Sequence, residues 1–180
     1  MAYVKVSVPR PEGHPGSGIQ PKDRLIVIET DDIETMPVRD DKGVVIEQDI
    51  TLKNGEKAAA IYLTPGTAEL TSSSDGDPDA EGFTPAIKFS HPGNEQAVRE
   101  FKSYYLGKNC IVLIQYCKDG KCDLIGSPCN PVRLSVAYTG NKDANSNELT
   151  FTQVSRGDDI AIYEGAIPAV ADDPVPNAQG

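Results

Sequence analysis

Proline and glycine punctuate this chain along most of its length, and that constrains its fold more than any other feature. There are sixteen glycines and fourteen prolines in 180 residues. Each proline fixes φ and removes a backbone donor, and each glycine raises the cost of a regular helix. A helical bundle is therefore excluded, and the composition suits short strands joined by turns. The length fits one domain with residues left over for arms, and a domain near 150 residues buries roughly two-thirds of its unfolded surface.

Only the stretch between Gly93 and Gly107 reads as a helix, over about 94–106. Asn94 is the expected N-cap, Glu95 suits the positive first turn, and Gly107 suits the position after the C-cap. Ala97, Val98, Phe101 and Tyr105 fall on one stripe, with Arg99, Glu100 and Lys102 off it, so the helix packs on a sheet or covers its edge. Elsewhere the pattern has period two or is a short apolar run. Strands are expected at 25–30, 44–52, 57–63, 67–72, 83–90, 111–116, 132–138, 148–155 and 159–163. Asn54-Gly55 is a type I′ turn signal that predicts a long hairpin over 44–63, with Ile46, Ile50 and Ile61 packed and Glu47 and Asp49 solvated. In 132–138, Val132, Leu134, Val136 and Tyr138 alternate against Arg133, Ser135 and Ala137. In 148–155, Leu149, Phe151 and Gln153 alternate against Thr150, Thr152 and Val154.

The expected fold is mainly β, with two packed antiparallel sheets or a small β-barrel and one flanking α-helix. Residues 1–24, with four prolines and three glycines from Pro9 onward, form an N-terminal arm in which 1–8 can add as an edge strand. Residues 25–165 form the domain, and 166–180 read as a C-terminal tail with few anchors. The N-terminus shows no signal-peptide pattern, and no apolar run approaches the ~20 residues of a membrane span. The expected setting is a reducing cytoplasm.

Cys110, Cys117, Cys122 and Cys129 lie within twenty residues and suggest a metal site. The Asp119-Gly120 turn signal instead predicts a hairpin pairing Cys117 with Cys122 and Cys110 with Cys129. Residues 110 and 117 then point to opposite sheet faces, so the four thiols cannot close one tetrahedral site. Free thiols are expected, with Cys117 and Cys122 near enough for a cross-strand disulfide if oxidised. Asp75, Asp77, Asp79 and Glu81 place carboxylates at every second residue, the spacing of calcium loops, but Ala80 stands where an EF-hand needs glycine. The alternative for this run is a solvated loop. His14 and His91 accompany no nucleophile elbow or H-x-x-x-H spacing. No enzyme activity, cofactor or metal is expected. The net charge of −10 disfavours binding to phosphate backbones.

The segments FTPAIKFSHPG, NEQAVREFKSYYLG, NCIVLIQYCKDGKCDLIGSPCNP, VRLSVAYTG and ELTFTQVSRGDDIAIYEG follow the order strand, helix, hairpin and closing antiparallel set. This order resembles the tail tube proteins of tailed bacteriophages, which are similar to the tube proteins of contractile injection systems. The resemblance lies in architecture over roughly 25–165 and has no diagnostic motif. It implies a virion structural protein assembled in a bacterial host's cytoplasm. Homo-oligomeric rings, hexameric in that family, would stack into a tube through which DNA passes without specific binding. The arms and the 44–63 hairpin would contact neighbouring subunits, and excess acid could line the lumen. A capsid decoration or head–tail joining protein would share these features. A carbohydrate-binding module is a further alternative, disfavoured by the absence of Trp.

Overall fold

The most apolar run of the chain becomes its central strand. In this computed structural model residues 3–117 and 120–171 are described. Strand β8 (Cys110–Tyr116) has five consecutive buried residues, as a strand covered on both faces requires. In chain order the strands before it are β1 (Pro21–Glu29), β2 (Ile33–Thr35), β3 (Val45–Ile46), β4 (Thr51–Leu52), β5 (Ala59–Tyr62), β6 (Glu69–Asp75) and β7 (Gly82–Pro92). Helix α1 (Gln96–Tyr105) comes next. After β8 follow β9 (Cys122–Ile125), β10 (Val132–Gly140), β11 (Asn145–Gln153) and β12 (Ala161–Tyr163).

Ten strands form one sheet that folds into two layers without closing into a barrel, while β2 and β4 form a small separate sheet. One layer runs β5-β1-β8-β9-β12-β3 and the other β10-β11-β7-β6. A single pairing, Val132 with Cys110, joins them. Gly126 packs against this corner at φ +88°, where a Cβ would lie 3.3 Å from the Cys110 carbonyl and from Val132. A side chain there would crowd the bend and strain the backbone.

Alternation along the strands builds two cores. Leu25, Val27, Val112 and Ile114 face the second layer, where Ile87, Phe89, Leu149, Phe151, Val132 and Leu134 meet them. Ile26, Ile28, Ile111, Leu113 and Leu124 point the other way and are covered by Ile46, Ile50, Ala58, Ala161 and Tyr163. The period-two reading of 148–155 holds, since Leu149, Phe151 and Gln153 are buried and Thr152 and Val154 are exposed; in 132–138 it holds for Val132, Leu134 and the partly buried Val136 but fails at Tyr138, which is 48% exposed.

Four expectations are corrected. The 44–63 hairpin does not form, because β3 pairs in parallel with β12, β4 with β2 and β5 with β1. A turn does close there, with the Glu56 amide donating to the Lys53 carbonyl at 3.0 Å. However, Asn54 is not at positive φ, which a type I′ turn needs. Ile46, Ile50 and Ile61 are buried as expected, but in two different cores.

The second correction concerns the cysteine hairpin. Its register pairs Gln115 with Cys122, two residues away from the expected pairing, and β10 rather than Cys129 meets Cys110. Asp119 of the turn signal lies outside the described residues.

Third, Glu95 occupies the N-cap of α1 without a side-chain cap, and Ala97 is exposed. Phe101 and Tyr105 do pack against the first core and Val98 is buried, and Gly107 takes φ +81° after the Leu106 C-cap.

Fourth, the tail is anchored as far as Ala171. Ala58 donates to the Ala169 carbonyl at 2.9 Å and accepts from the Ala171 amide at 2.8 Å, and Ile167 and Val170 cover the second core. At the other end β1 begins at Pro21, inside the expected arm, while residues 3–20 form no strand and are exposed.

Candidate functional site

The four-stranded layer β10-β11-β7-β6 stands apart because, among the described residues, none covers its outer face and its two outer edges are unpaired except at Val132. The face follows from register. Thr71 pairs with Ala86, Ala86 with Thr152, and Thr152 with Arg133. One step along, Glu69 pairs with Lys88, Lys88 with Thr150, and Thr150 with Ser135. Ser90, Glu148 and Ala137 form the next row, and Ser146 with Thr139 the next. Within the strands this face carries serine, threonine and alanine, with no large apolar side chain. Three carboxylates (Glu69, Asp75, Glu148) stand against two cations (Lys88, Arg133). Lys88 and Glu148 pair at 3.6 Å, both half exposed, a contact worth little in water.

The edges differ from the others in the fold. The edge at β3 is blunted by Asp40, whose carboxylate accepts the amides of Val44 at 2.8 Å and Val45 at 3.0 Å. These hydrogen bonds hold the Asp40 carboxyl below its ordinary value. His91 Nδ1 lies 2.8 Å from the Tyr62 carbonyl at β5. By contrast, among the described residues the far side of β6 makes no backbone hydrogen bond, and that of β10 pairs only at Val132. Each edge is long, seven residues in β6 and nine in β10. Soluble proteins usually shorten, charge or cover such edges.

A polar clamp fixes α1 beside this layer. Lys102 Nζ donates to Asn94 Oδ1 at 2.9 Å and to Asn147 Oδ1 at 2.7 Å, and Asn147 Nδ2 donates to the Gly93 carbonyl at 2.8 Å. Asn94, expected as the cap, is drawn instead into this network. At the other end of the helix, Tyr104 donates to Glu29 Oε2 at 2.7 Å and Lys108 Nζ lies 3.1 Å from Glu29 Oε1. Burial alone would raise the Glu29 carboxyl, but these two partners outweigh it and hold it below the usual range. The hydrogen bond to Glu29 pushes the Tyr104 hydroxyl up to about 12.

The other candidates stay dispersed. Asp77, Asp79 and Glu81 sit on the exposed β6–β7 connection, and Asp75 is the last residue of β6. Asp75 Oδ1 takes its neighbour's amide at 2.7 Å, and the Ala80 amide donates to the Asp77 carbonyl at 2.9 Å. No three His, Cys, Asp or Glu side chains are gathered to hold a metal among the described residues. All four thiols are free. Cys110 and Cys122 lie in opposite cores, where burial pushes each thiol up to about 12, while Cys117 and Cys129 are exposed. His14 lies in the exposed arm, beside a groove of about 660 Å³ formed with Leu70, Tyr116, Asp123 and Ile162. No described helix is long and apolar enough to cross a membrane.

The bare edges and hydroxyl-rich face were missed in the sequence, although the alternation of Thr150 and Thr152 with Leu149, Phe151 and Gln153 already carried half of the signal. No family model, curated protein or solved structure matches the chain.

Proposed function

We propose that this chain is a structural subunit of a closed homo-oligomeric ring, and that a bacteriophage tail tube is the assembly it serves. The observation that carries the reading is the four-stranded layer with two different edges, one unpaired among the described residues and the other paired only at Val132. An edge that meets a different edge of the next copy makes a heterologous contact, which closes into a ring when the rotation allows. Pairing β6 of one copy with β10 of the next would satisfy both rows of backbone groups. The uncovered face then becomes continuous around the ring.

Its chemistry suits a passage for a polyanion. Holding nucleic acid takes clustered cations or exposed aromatic platforms, and this face offers two cations, three carboxylates and otherwise small neutral side chains. A decoration subunit would have no need of this pair of bare edges, and a carbohydrate-binding module would present aromatics on such a face. The role is structural rather than catalytic.

The test uses two single proline variants, Ser73→Pro and Ser74→Pro. Of two neighbouring residues in an antiparallel edge strand, one amide faces the partner strand and the next faces outward. One variant therefore breaks the β6–β7 ladder and lowers the melting temperature. The other leaves the monomer folded and abolishes higher species in sedimentation. Assembly that survives in both variants contradicts the proposal.

A further inference from the structure

Hydrogen bonds at the strand ends fix which way each edge amide points. The Gly93 amide donates to the Asn145 carbonyl at 2.8 Å, and the Phe83 amide to the Gly157 carbonyl at 2.9 Å. The odd residues of β7 therefore face β11 and its even residues face β6. Lys88 pairs with Glu69, so the odd residues of β6 bond to β7, while Leu70, Ser72 and Ser74 turn their backbone groups to the open edge. At the other side of the layer the Val154 amide donates to the Pro131 carbonyl at 2.9 Å. The odd residues of β10 thus bond to β11, and Leu134, Val136 and Tyr138 turn theirs outward. On both strands these even residues carry their side chains on the core side of the layer. A contact that sets even opposite even keeps the Ser/Thr face continuous from copy to copy.

Symmetry sets the direction of that contact. Rotation about a ring axis leaves β10 of the next copy running the same way as β10 of the first. Three antiparallel steps separate β10 from β6, so β6 meets the next β10 antiparallel.

Closure then selects a register. The row Arg133, Thr152, Ala86, Thr71 crosses the layer at right angles to its strands. With Ser72 opposite Val136, Thr71 meets Ala137 of the next copy, four residues along from Arg133. A stagger of four residues over four strands is one per strand, the ratio of the eight-stranded barrel with shear eight and a tilt of about 36°. Strands ~4.8 Å apart that rise ~3.3 Å per residue give a tilt of about 35° here, at the lower end of closed barrels. A shift of two residues one way lowers the tilt to about 19° and calls on Val132, which Cys110 already holds. The opposite shift raises it to about 46° and leaves Leu134 without a partner in β6. The middle register also sets Asp75 opposite Arg133 and Leu70 opposite the half-exposed Tyr138. Arg133 Nε donates to Asn109 Oδ1 at 3.0 Å, and among the described residues its terminal nitrogens have no partner.

We propose that β6 joins β10 of the next copy antiparallel with Ser72 opposite Val136, and that Asp75 selects this register by pairing with Arg133 of that copy. This rests on the reading of the chain as a ring subunit. Each copy then takes ~23 Å of the circumference, so the backbone diameter of the ring is ~7 Å for every copy it holds.

The full-length chain, with the exposed Cys117 and Cys129 replaced by serine, is assembled, oxidised and separated by size without reductant. Ser73→Cys combined with Ser135→Cys should link neighbours into ladders. These two positions oppose each other across the contact but lie three strand spacings apart, ~14 Å, within one copy. Ser73→Cys combined with Arg133→Cys or with Ala137→Cys should link at least tenfold more slowly. Asp75→Arg and Arg133→Asp should each weaken assembly several-fold, because each sets like charges opposite one another. Combined in one chain they should restore it, since every contact then joins opposite charges again. Rings that link faster through either shifted pair, or that the combined charge variant fails to restore, overturn the register and leave the ring reading standing. A chain that stays monomeric at every concentration overturns both.

Discussion

Replacing Lys102 with methionine tests how α1 is held on the sheet. The substitution keeps most of the apolar stem and removes the ammonium that donates at 2.7 Å to Asn147 and at 2.9 Å to Asn94. Asn147 is fully buried, so its Oδ1 would be left without a partner, whereas the partly exposed Asn94 can turn to water. A hydrogen bond from a charged donor is worth roughly 1.5–3 kcal/mol and a stranded buried acceptor costs about 1–3 kcal/mol. These describe the same loss from two sides, so the expected destabilisation is about 2 kcal/mol. For a chain of this size that lowers the melting temperature by roughly 4–8 °C. Urea unfolding followed by far-ultraviolet circular dichroism measures it, with the slope against denaturant unchanged. Thr150→Ala, on the open face, should stay within about 0.5 kcal/mol of the parent. Pairing Lys102→Met with Asn147→Leu removes donor and acceptor together, and the double variant should lose less than the two single losses combined. A Lys102→Met loss below about 0.5 kcal/mol, or full additivity, refutes the clamp.

Glu29 gives a pH dependence. Its carboxyl titrates below its ordinary value in the folded chain, so its contribution is present above about pH 4.5 and fades as pH falls through the folded value. Glu29→Gln should therefore reduce stability at pH 7 and flatten the acid limb of the stability curve, and an unchanged limb contradicts the Tyr104–Lys108 assignment. Of the four thiols, only Cys117 and Cys129 should react quickly with a thiol reagent at pH 8, with Cys110 and Cys122 reacting after denaturation. A third fast thiol would contradict the two-core packing.

Local pattern made most of the second layer legible. The alternation in β11 and in β10 as far as Val136 named the buried residues, and Val98, Phe101 and Tyr105 fixed the side on which the helix packs. What stayed hidden depends on partners far away in the chain. Asn54-Gly55 is a local turn signal, but β3 meets β12 and β5 meets β1 more than thirty residues away, and those pairings override it. The tail looked unanchored because Ile167 and Val170 are two isolated apolar residues, whose burial depends on a second core that no local pattern reveals. The two open edges were invisible for the same reason: an edge is defined by the strand that is missing. Once register was known, the hydroxyl face followed at once from residues already assigned outward.

Electron microscopy of the purified full-length chain at high concentration tests the central claim most directly. The account predicts rings with a central pore, with β6 of each copy beside β10 of the next and the Ser/Thr face turned to the pore. Monomers alone, or rings in which these two edges remain apart, would contradict it.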